Sequence, residues 1–251
     1  LKPETSNLNP QDFWEAFFAG YFDLATMHGV TLIGGDLSSA PDRLTIDSIV
    51  IGQCQAGQAI RRDGAKVGDA IFVTGSIGAS AAGLKLLLNG ARVNESEKSL
   101  EQSAIRAHLR PEPRVEFGRW LGELGLANAM IDVSDGLAQD LRHICEASNV
   151  GATIDFEAVP MAEEVSLVVT SADEAFEVAV SGGEDFELLF TANRDDEAAL
   201  FELAASCQLP LTRIGEIVSM DQTTSILLRR VGDVKPLSIR GYDHFAEDAS
   251  V

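Results

Sequence analysis

The sequence predicts an α+β fold in which a short N-terminal portion precedes a larger domain. Three observations predict it. Short apolar strands and amphipathic helices mix without a clean run of βαβ units, a long strand pattern stands near the start, and paired strand patterns stand near the end. The 251 residues allow one large domain or two modest ones. A hydrophobic share of 45% against 23% charged residues excludes a disordered chain. The boundary is expected near residues 57–64, where Gly57, Gly64 and the basic pair Arg61-Arg62 sit. It divides the chain into residues 1–60 and 61–251.

Asn9-Pro10 reads as an N-cap followed by proline at the first helical position. Phe13, Phe17, Tyr21 and Leu24 then recur at helical spacing, and Gly29 can end the helix. Val30 to Ile33 is a short apolar strand, and Leu44 to Cys54 a long one rich in β-branched residues. Ala70 to Thr74 is the next strand, and Gly75-Ser76-Ile77-Gly78 turns into a helix through Leu88. Pro111 and Pro113 separate one helix from another that runs to about Leu124. Ala129 to Val133 is a strand, followed by a helix from Ser134-Asp135-Gly136 to Ser148. Strands near Ala152 to Phe156 and Phe186 to Thr191 flank helices between Ala162 and Val178. Asp195 to Ser206 is helical, and Thr212 to Val218 and Ser225 to Arg230 are the closing strands.

Asp and Glu number 39 against 19 Lys and Arg, a formal charge of -20. A nucleic-acid binder needs a basic face, so that class is disfavoured. A phosphate ligand would need backbone N–H groups, a placed Arg or divalent cations. Cys54, Cys145 and Cys207 form no CxxC pair, which argues against a disulfide framework or a zinc ribbon. His28, His108, His143 and His244 lack paired-ligand spacing and are expected to be structural. No apolar run reaches the roughly 18 residues of a membrane span, and a reducing cytoplasm fits this cysteine usage. The chain begins at Leu1 in a polar stretch, so a clipped N-terminus is expected.

Three segments share one design: an apolar strand, small flexible residues, then carboxylates. They are Ile33-Gly34-Gly35-Asp36, Ile131-Asp132-Val133-Ser134-Asp135-Gly136 and Ser181-Gly182-Gly183-Glu184-Asp185. Glycine allows close backbone approach, and strand-end carboxylates are hard oxygen ligands suited to Mg²⁺. Converging carboxylates repel unless a cation sits between them, an arrangement that phosphoryl transfer uses. Each segment alone has a plainer explanation. Gly-Gly-Asp is usually a turn, and Ser134-Asp135 before a helix is usually an N-cap. Gly75-Ser76-Ile77-Gly78-Ala79-Ser80 could hold an anion at a helix N-terminus, but tight helix–strand packing explains it better. Arg61-Arg62 could clamp a phosphate or be a solvated pair. Tyr242 could stack on a flat ring or pin the tail to the core.

In this order the motifs carry a resemblance. Ile33-Gly34-Gly35-Asp36, Arg62-Asp63-Gly64-Ala65 with Gly68-Asp69, and Val73 to Gly78 resemble the thiamine-monophosphate kinase family. So do Ile131 to Leu137, Ser181 to Leu188 and Gly241-Tyr242-Asp243-His244-Phe245, and together they span nearly the whole chain. The wider group includes aminoimidazole ribonucleotide synthase, selenophosphate synthase and a hydrogenase maturation protein, all of which use ATP.

The resemblance implies an aminoimidazole ribonucleotide synthase-like C-terminal α/β sandwich domain in residues 61–251. It implies a partial N-terminal α/β domain for ATP binding and dimerisation in residues 1–60. It implies Mg²⁺-assisted direct phosphoryl transfer from ATP to thiamine monophosphate, in a cytoplasmic homodimer, with no covalent nucleophile. Asp36, Asp132 and Asp135 then stand as Mg²⁺ ligands. Gly35, Asp36, Arg62 and Ser134 stand as ATP contacts. Glu184 stands as a contact to the thiamine phosphate, with Asp185 a second candidate, and Tyr242 is placed to stack on its ring. The family's own N-terminal Gly-Asp-Asp segment is not found before Leu1, so the chain by itself is expected to be a poor or inactive kinase. Two alternatives accompany this reading: another ATP-using enzyme of the same superfamily, such as aminoimidazole ribonucleotide synthase, and a non-catalytic nucleotide-binding or dimerisation module.

Overall fold

A computed structural model describes residues 10–39, 44–94, 96–220 and 226–239. The chain divides into two compact units, Leu1–Cys54 and Gln55–Val251. Tyr242 and the rest of its motif lie outside the described residues.

In the first unit, helix α1 (Pro10–Met27) carries a ladder of aromatic rings. Phe13 stacks near Phe17 (6.4 Å between centroids), Trp14 near Phe18 (6.0 Å) and Phe18 near Phe22 (6.1 Å), the i,i+4 neighbours of a helix. The helix closes with Gly29 at φ 65°, the Val30 N–H reaching the Ala25 carbonyl (2.8 Å) and the Gly29 N–H the Thr26 carbonyl (3.2 Å). That is the left-handed glycine stop that the sequence suggested. The two strands expected after it, Val30 to Ile33 and Leu44 to Cys54, are not formed in the described residues. Their β-branched side chains stand exposed, Ile49 at 83% and Val50 at 81%. Apolar pattern proposes a strand, but only a neighbour that takes its N–H and C=O groups makes one. Among the described residues no strand pairs with either segment.

The second unit is built on a seven-stranded mixed sheet of order β2-β4-β1-β5-β3-β6-β7. Its strands are β1 (Ala70–Thr74), β2 (Ala129–Asp132), β3 (Gly151–Asp155), β4 (Leu188–Ala192), β5 (Leu211–Val218), β6 (Ile226–Arg230) and β7 (Asp233–Pro236). All pairings are antiparallel except β3 with β6. The helices are α2 (Ala79–Leu88), α3 (Leu100–Leu109), α4 (Val115–Leu124), α5 (Leu137–Ser148), α6 (Ala172–Ser181) and α7 (Glu197–Ser206).

Fully buried β1 shows how the layers arise. Successive strand residues face opposite sides. Ile71 and Val73 join Leu137, Leu141 and Ile144 of α5 and Ala179 and Val180 of α6 in one core. Ala70 and Phe72 join Phe117 and Leu121 of α4 and Leu200 and Ala204 of α7 in the other. Phe190 of β4 stacks on Phe72 at 5.4 Å in that second core. The result is an α/β sandwich with helices on both faces. Between β1 and β5 the register slips after Ile71, which pairs with Gly215 while Phe72 pairs with Arg213, leaving Ile214 as a bulge. A Cβ on Gly215 would lie 2.1 Å from the Thr153 carbonyl oxygen, so only glycine lets β3 and β5 meet there.

Within the sandwich most expected elements appear, and β7 is an edge strand that the sequence pattern did not show. β4 starts two residues later than expected, because Phe186 is left-handed at φ 51°. Among the described residues no helix is long and apolar enough to cross a membrane.

Candidate functional site

The site is assembled where β2 ends. β2 pairs with β4 from Ala129–Thr191 to Asp132–Leu188, and Asp132 emerges exposed at the strand end. The two chains then run on side by side. The Val133 N–H donates to the Glu187 carbonyl (2.8 Å), Phe186 N–H to Val133 (2.9 Å) and Glu184 N–H to Ser134 (2.9 Å). Two of the carboxylate motifs, residues 131–136 and 181–185, are thereby zipped backbone to backbone, the pairing continuing through Phe186 and Glu187. Glycine is required for that approach. A Cβ on Gly183 would lie 2.2 Å from the Ser134 carbonyl oxygen, and one on Gly136 (φ 103°) 2.7 Å from that of Ser181.

The zipped segment sorts its acids by backbone conformation. Glu184 (φ 67°) and Phe186 (φ 51°) are both left-handed, a costly state for non-glycine residues. Glu184 is exposed, whereas Asp185 and Glu187 turn into the protein. Asp185 accepts the N–H groups of Gly78 (2.7 Å) and Ser80 (3.1 Å) at the start of α2. Burial pushes its pKa up to about 6, against the pull of those two bonds. Glu187, 5% exposed, accepts from the Thr74 hydroxyl (2.6 Å) and from the Nε–H and Nη2–H of the Arg114 guanidinium (2.8 and 2.5 Å). That bidentate bond holds the Arg114 pKa above its ordinary value. A Cβ on Gly75 would lie 2.0 Å from a Glu187 oxygen, so this glycine makes room for the ion pair.

The Gly75 to Ser80 turn is therefore not an open anion site, since two of its N–H groups already bind a carboxylate. Gly78 also packs tightly, a Cβ there lying 2.9 Å from Ala179 Cα. The capping role expected of Ser134-Asp135 is corrected too: the N-cap of α5 is Gly136, which has no side chain to cap with. Instead Asp140, from the first turn of α5, reaches back. One of its oxygens, Oδ2, accepts the N–H groups of both Ser134 and Asp135 at 3.1 Å. Asp140 is 1% exposed, and burial pushes its pKa up to about 7, with the charges of Asp135 and Asp132 adding to the shift.

His143 lies one turn further along α5, and one ligand atom each of Asp135, Asp140 and His143 falls within 4.8 Å of the others. The sequence had set His143 aside as structural. Its pairing with acids three and eight residues earlier matches no short metal motif.

Arg61 and Arg62 differ. Arg61 bridges in parallel to Ala129 and its guanidinium binds Asp63 (2.5 Å). Arg62 offers its carbonyl to the Ser148 hydroxyl (3.2 Å) and keeps an exposed side chain. Of the sequence candidates, Asp132, Ser134, Asp135 and Glu184 are brought together, and Arg62 follows the residue bridged to the start of β2. Gly35 and Asp36 belong to the first unit, both exposed, and the Ser38 hydroxyl donates to Asp36 (3.0 Å). Asp140, Glu187 and Arg114 were not singled out by the sequence.

The donors gathered at the end of β2 are carboxylate and hydroxyl oxygens, which suit a hard divalent cation and phosphate oxygens. The chain matches the family described as AIR synthase related protein, C-terminal domain, over residues 66–227. It is 39% identical over 232 residues to the thiamine-monophosphate kinase of Escherichia coli (strain K12), covering 92% of this chain and 69% of the relative. It superposes on the thiamine-monophosphate kinase of Stenotrophomonas maltophilia K279a with a TM-score of 0.75 at 38% identity, covering 90% of this chain and 69% of that one. With AaThiL complexed with AMPPCP and TMP the TM-score is 0.71 at 27% identity, over 97% of this chain and 71% of that one. With sequence, fold and the order of the glycine-carboxylate motifs in agreement, the chain belongs to the thiamine-monophosphate kinase family.

Proposed function

We propose that the chain carries the ATP-dependent phosphorylation of thiamine monophosphate to thiamine diphosphate, releasing ADP. The observation that carries this reading is the zipped pair of motifs, which sets Asp132, Ser134 and Asp135 beside Glu184 in a chain of this family. Asp132 and Asp135 of the second unit would hold Mg²⁺, and Asp36 of the first unit is read by itself as an Mg²⁺ ligand. The oxygen donor set fits that ion, which when bound neutralises phosphate oxygens and aligns them for in-line displacement.

The chain's own residues account for the remaining work. The Ser134 hydroxyl can donate to a phosphate oxygen, and its peptide is fixed on both sides, by Glu184 at the carbonyl and Asp140 at the N–H. Gly35 and Asp36 are read as further ATP contacts, and the exposed Arg62 guanidinium as a clamp on the ATP phosphates. Glu184, held outward by its left-handed backbone, is read as a contact to thiamine monophosphate, and Tyr242 as its stacking partner. Residues 1–60 are assigned to the ATP-binding and dimerisation part, 61–251 to the C-terminal domain, and the assembly to a homodimer in the cytoplasm. AaThiL complexed with AMPPCP and TMP supports this pairing of ligands.

Calorimetric titration of the chain with Mg²⁺ and a β,γ-methylene ATP analogue, then with thiamine monophosphate, tests the reading. Binding of both ligands with Mg²⁺ and loss of the nucleotide on chelation are expected. Asp132→Ala should weaken the Mg²⁺-dependent step at least about tenfold, the order that one ion-ligand contact contributes. An unchanged Mg²⁺ titration removes Asp132 from the ligands, and failure of both substrates to bind sinks the assignment.

A further inference from the structure

The geometry points to Asp140 as a positioning residue that sets the turn carrying Ser134 and Asp135. This rests on the proposed function, in which those two residues meet ATP and the cation. A fully buried carboxylate is normally matched by a Lys or Arg side chain. Asp140 instead accepts from two consecutive backbone N–H groups, both on the one oxygen Oδ2 at 3.1 Å. Two adjacent N–H groups converging on one acceptor fix both peptide planes. The Ser134 carbonyl is tied in the opposite direction, to the Glu184 N–H at 2.9 Å. Val133, just before, is held by Glu187 and Phe186. The turn is therefore pinned at each peptide from Val133 to Asp135, and the pin on its helix side is a single side chain.

That side chain sits in the best-fixed part of the site. Asp140 lies in the first turn of α5, between Leu137 and Leu141, both fully buried in the larger core. Its reach back to the turn thus transmits the rigidity of the sandwich to residues that otherwise continue an edge strand. Because Oδ2 alone accepts both N–H groups, an asparagine whose amide oxygen takes that place can make the same two bonds. An alanine cannot. Rescue by asparagine therefore separates positioning from a direct ionic role, in which Asp140 would join Asp135 and His143 around an ion.

The test compares wild type, Asp140→Asn and Asp140→Ala. Binding of Mg²⁺ with the β,γ-methylene ATP analogue is read by calorimetry, and amide exchange of residues 134 and 135 by NMR without metal. Asp140→Asn should bind within about threefold of wild type and keep both amides protected. Asp140→Ala should bind about tenfold weaker or worse, with both amides exchanging faster. Wild-type affinity in Asp140→Ala overturns the proposal, and so does Asp140→Asn as weak as Asp140→Ala, which would make the charge the active feature. If Asp140→Ala does not fold, exchange in wild type and Asp140→Asn still decides, because unprotected amides at 134 and 135 in wild type overturn it. If wild type fails to bind the analogue, the reading of function fails, while the exchange result continues to judge the turn.

Discussion

Asp185 and Glu184 are neighbours with opposite duties, and a difference of backbone conformation separates them. Glu184 accepts a left-handed φ of 67° and stays exposed, while Asp185 turns inward to the start of α2. Asp185 has a titration consequence. Its pKa is raised to about 6 by burial, whereas an unfolded Asp titrates near its ordinary value of about 4. Between those values the native state holds a proton that the unfolded state has released. The stabilisation from this group is complete below about pH 4 and lost as pH rises through about 6, at most about 3 kcal/mol. Asp185→Asn, which has no proton to lose, should flatten that part of the stability profile in urea titrations between pH 4 and 7. Below about pH 4 it should also cost about 1 kcal/mol, since the two N–H groups use different oxygens and an amide offers only one, and that cost should shrink as pH rises through about 6. An unaltered slope for the variant would place the titration elsewhere. The sequence showed that acids cluster at 181–185, and Glu187 follows them. It could not show which face solvent, because that depends on N–H groups of residues 78 and 80 and a guanidinium at 114.

Between elements, the join of β2's end to the 181–187 segment depends on absent side chains. At Gly183 the Ser134 carbonyl stands where a Cβ would be, 2.2 Å away. Gly183→Ala must push the two segments apart, since the obstacle is backbone. It should lower stability by about 1–3 kcal/mol, as overpacking does, and weaken binding of the Mg²⁺–nucleotide analogue beyond what the stability loss explains. Thermal melts and calorimetry would check it, and an alanine variant with wild-type melting would mean that the approach is looser than described. Helices were largely legible because their ends are chemically marked. Ser99 and Ser171 cap α3 and α6 by accepting from the N–H groups of Gln102 and Glu174, and Gly29 and Gly125 stop α1 and α4 in left-handed conformations. Strands were legible only where a partner exists. Val30 to Ile33 and Leu44 to Cys54 have the right residues and remain unpaired among the described residues, whereas β7, with two charged residues in four, forms by pairing with β6.

At the scale of the molecule, the formal charge of -20 means that folding works against self-repulsion. Raising NaCl from about 10 to about 150 mM should raise the melting temperature, because the screening length falls to about 8 Å. MgCl₂ at matched ionic strength should raise it further, since an ion bound only by the folded site adds about 2.7 kcal/mol at a hundred times its Kd. Chelation should return the melting point to the NaCl value. Identical effects of the two salts would leave screening alone, with no specific ion. Composition and motif order by themselves determined that this is a mixed α and β protein with glycine-carboxylate turns at strand ends, since those features are local and follow from residue type. Tertiary structure alone decided which acids are internal fixings and which face outward. Asp140, Asp185 and Glu187 hold the protein's own N–H, hydroxyl and guanidinium groups, while Asp132 and Glu184 stay exposed. A carboxylate's role depends on burial and on the donors that reach it, and those donors come from segments as far as 113 residues away along the chain, as from Thr74 to Glu187.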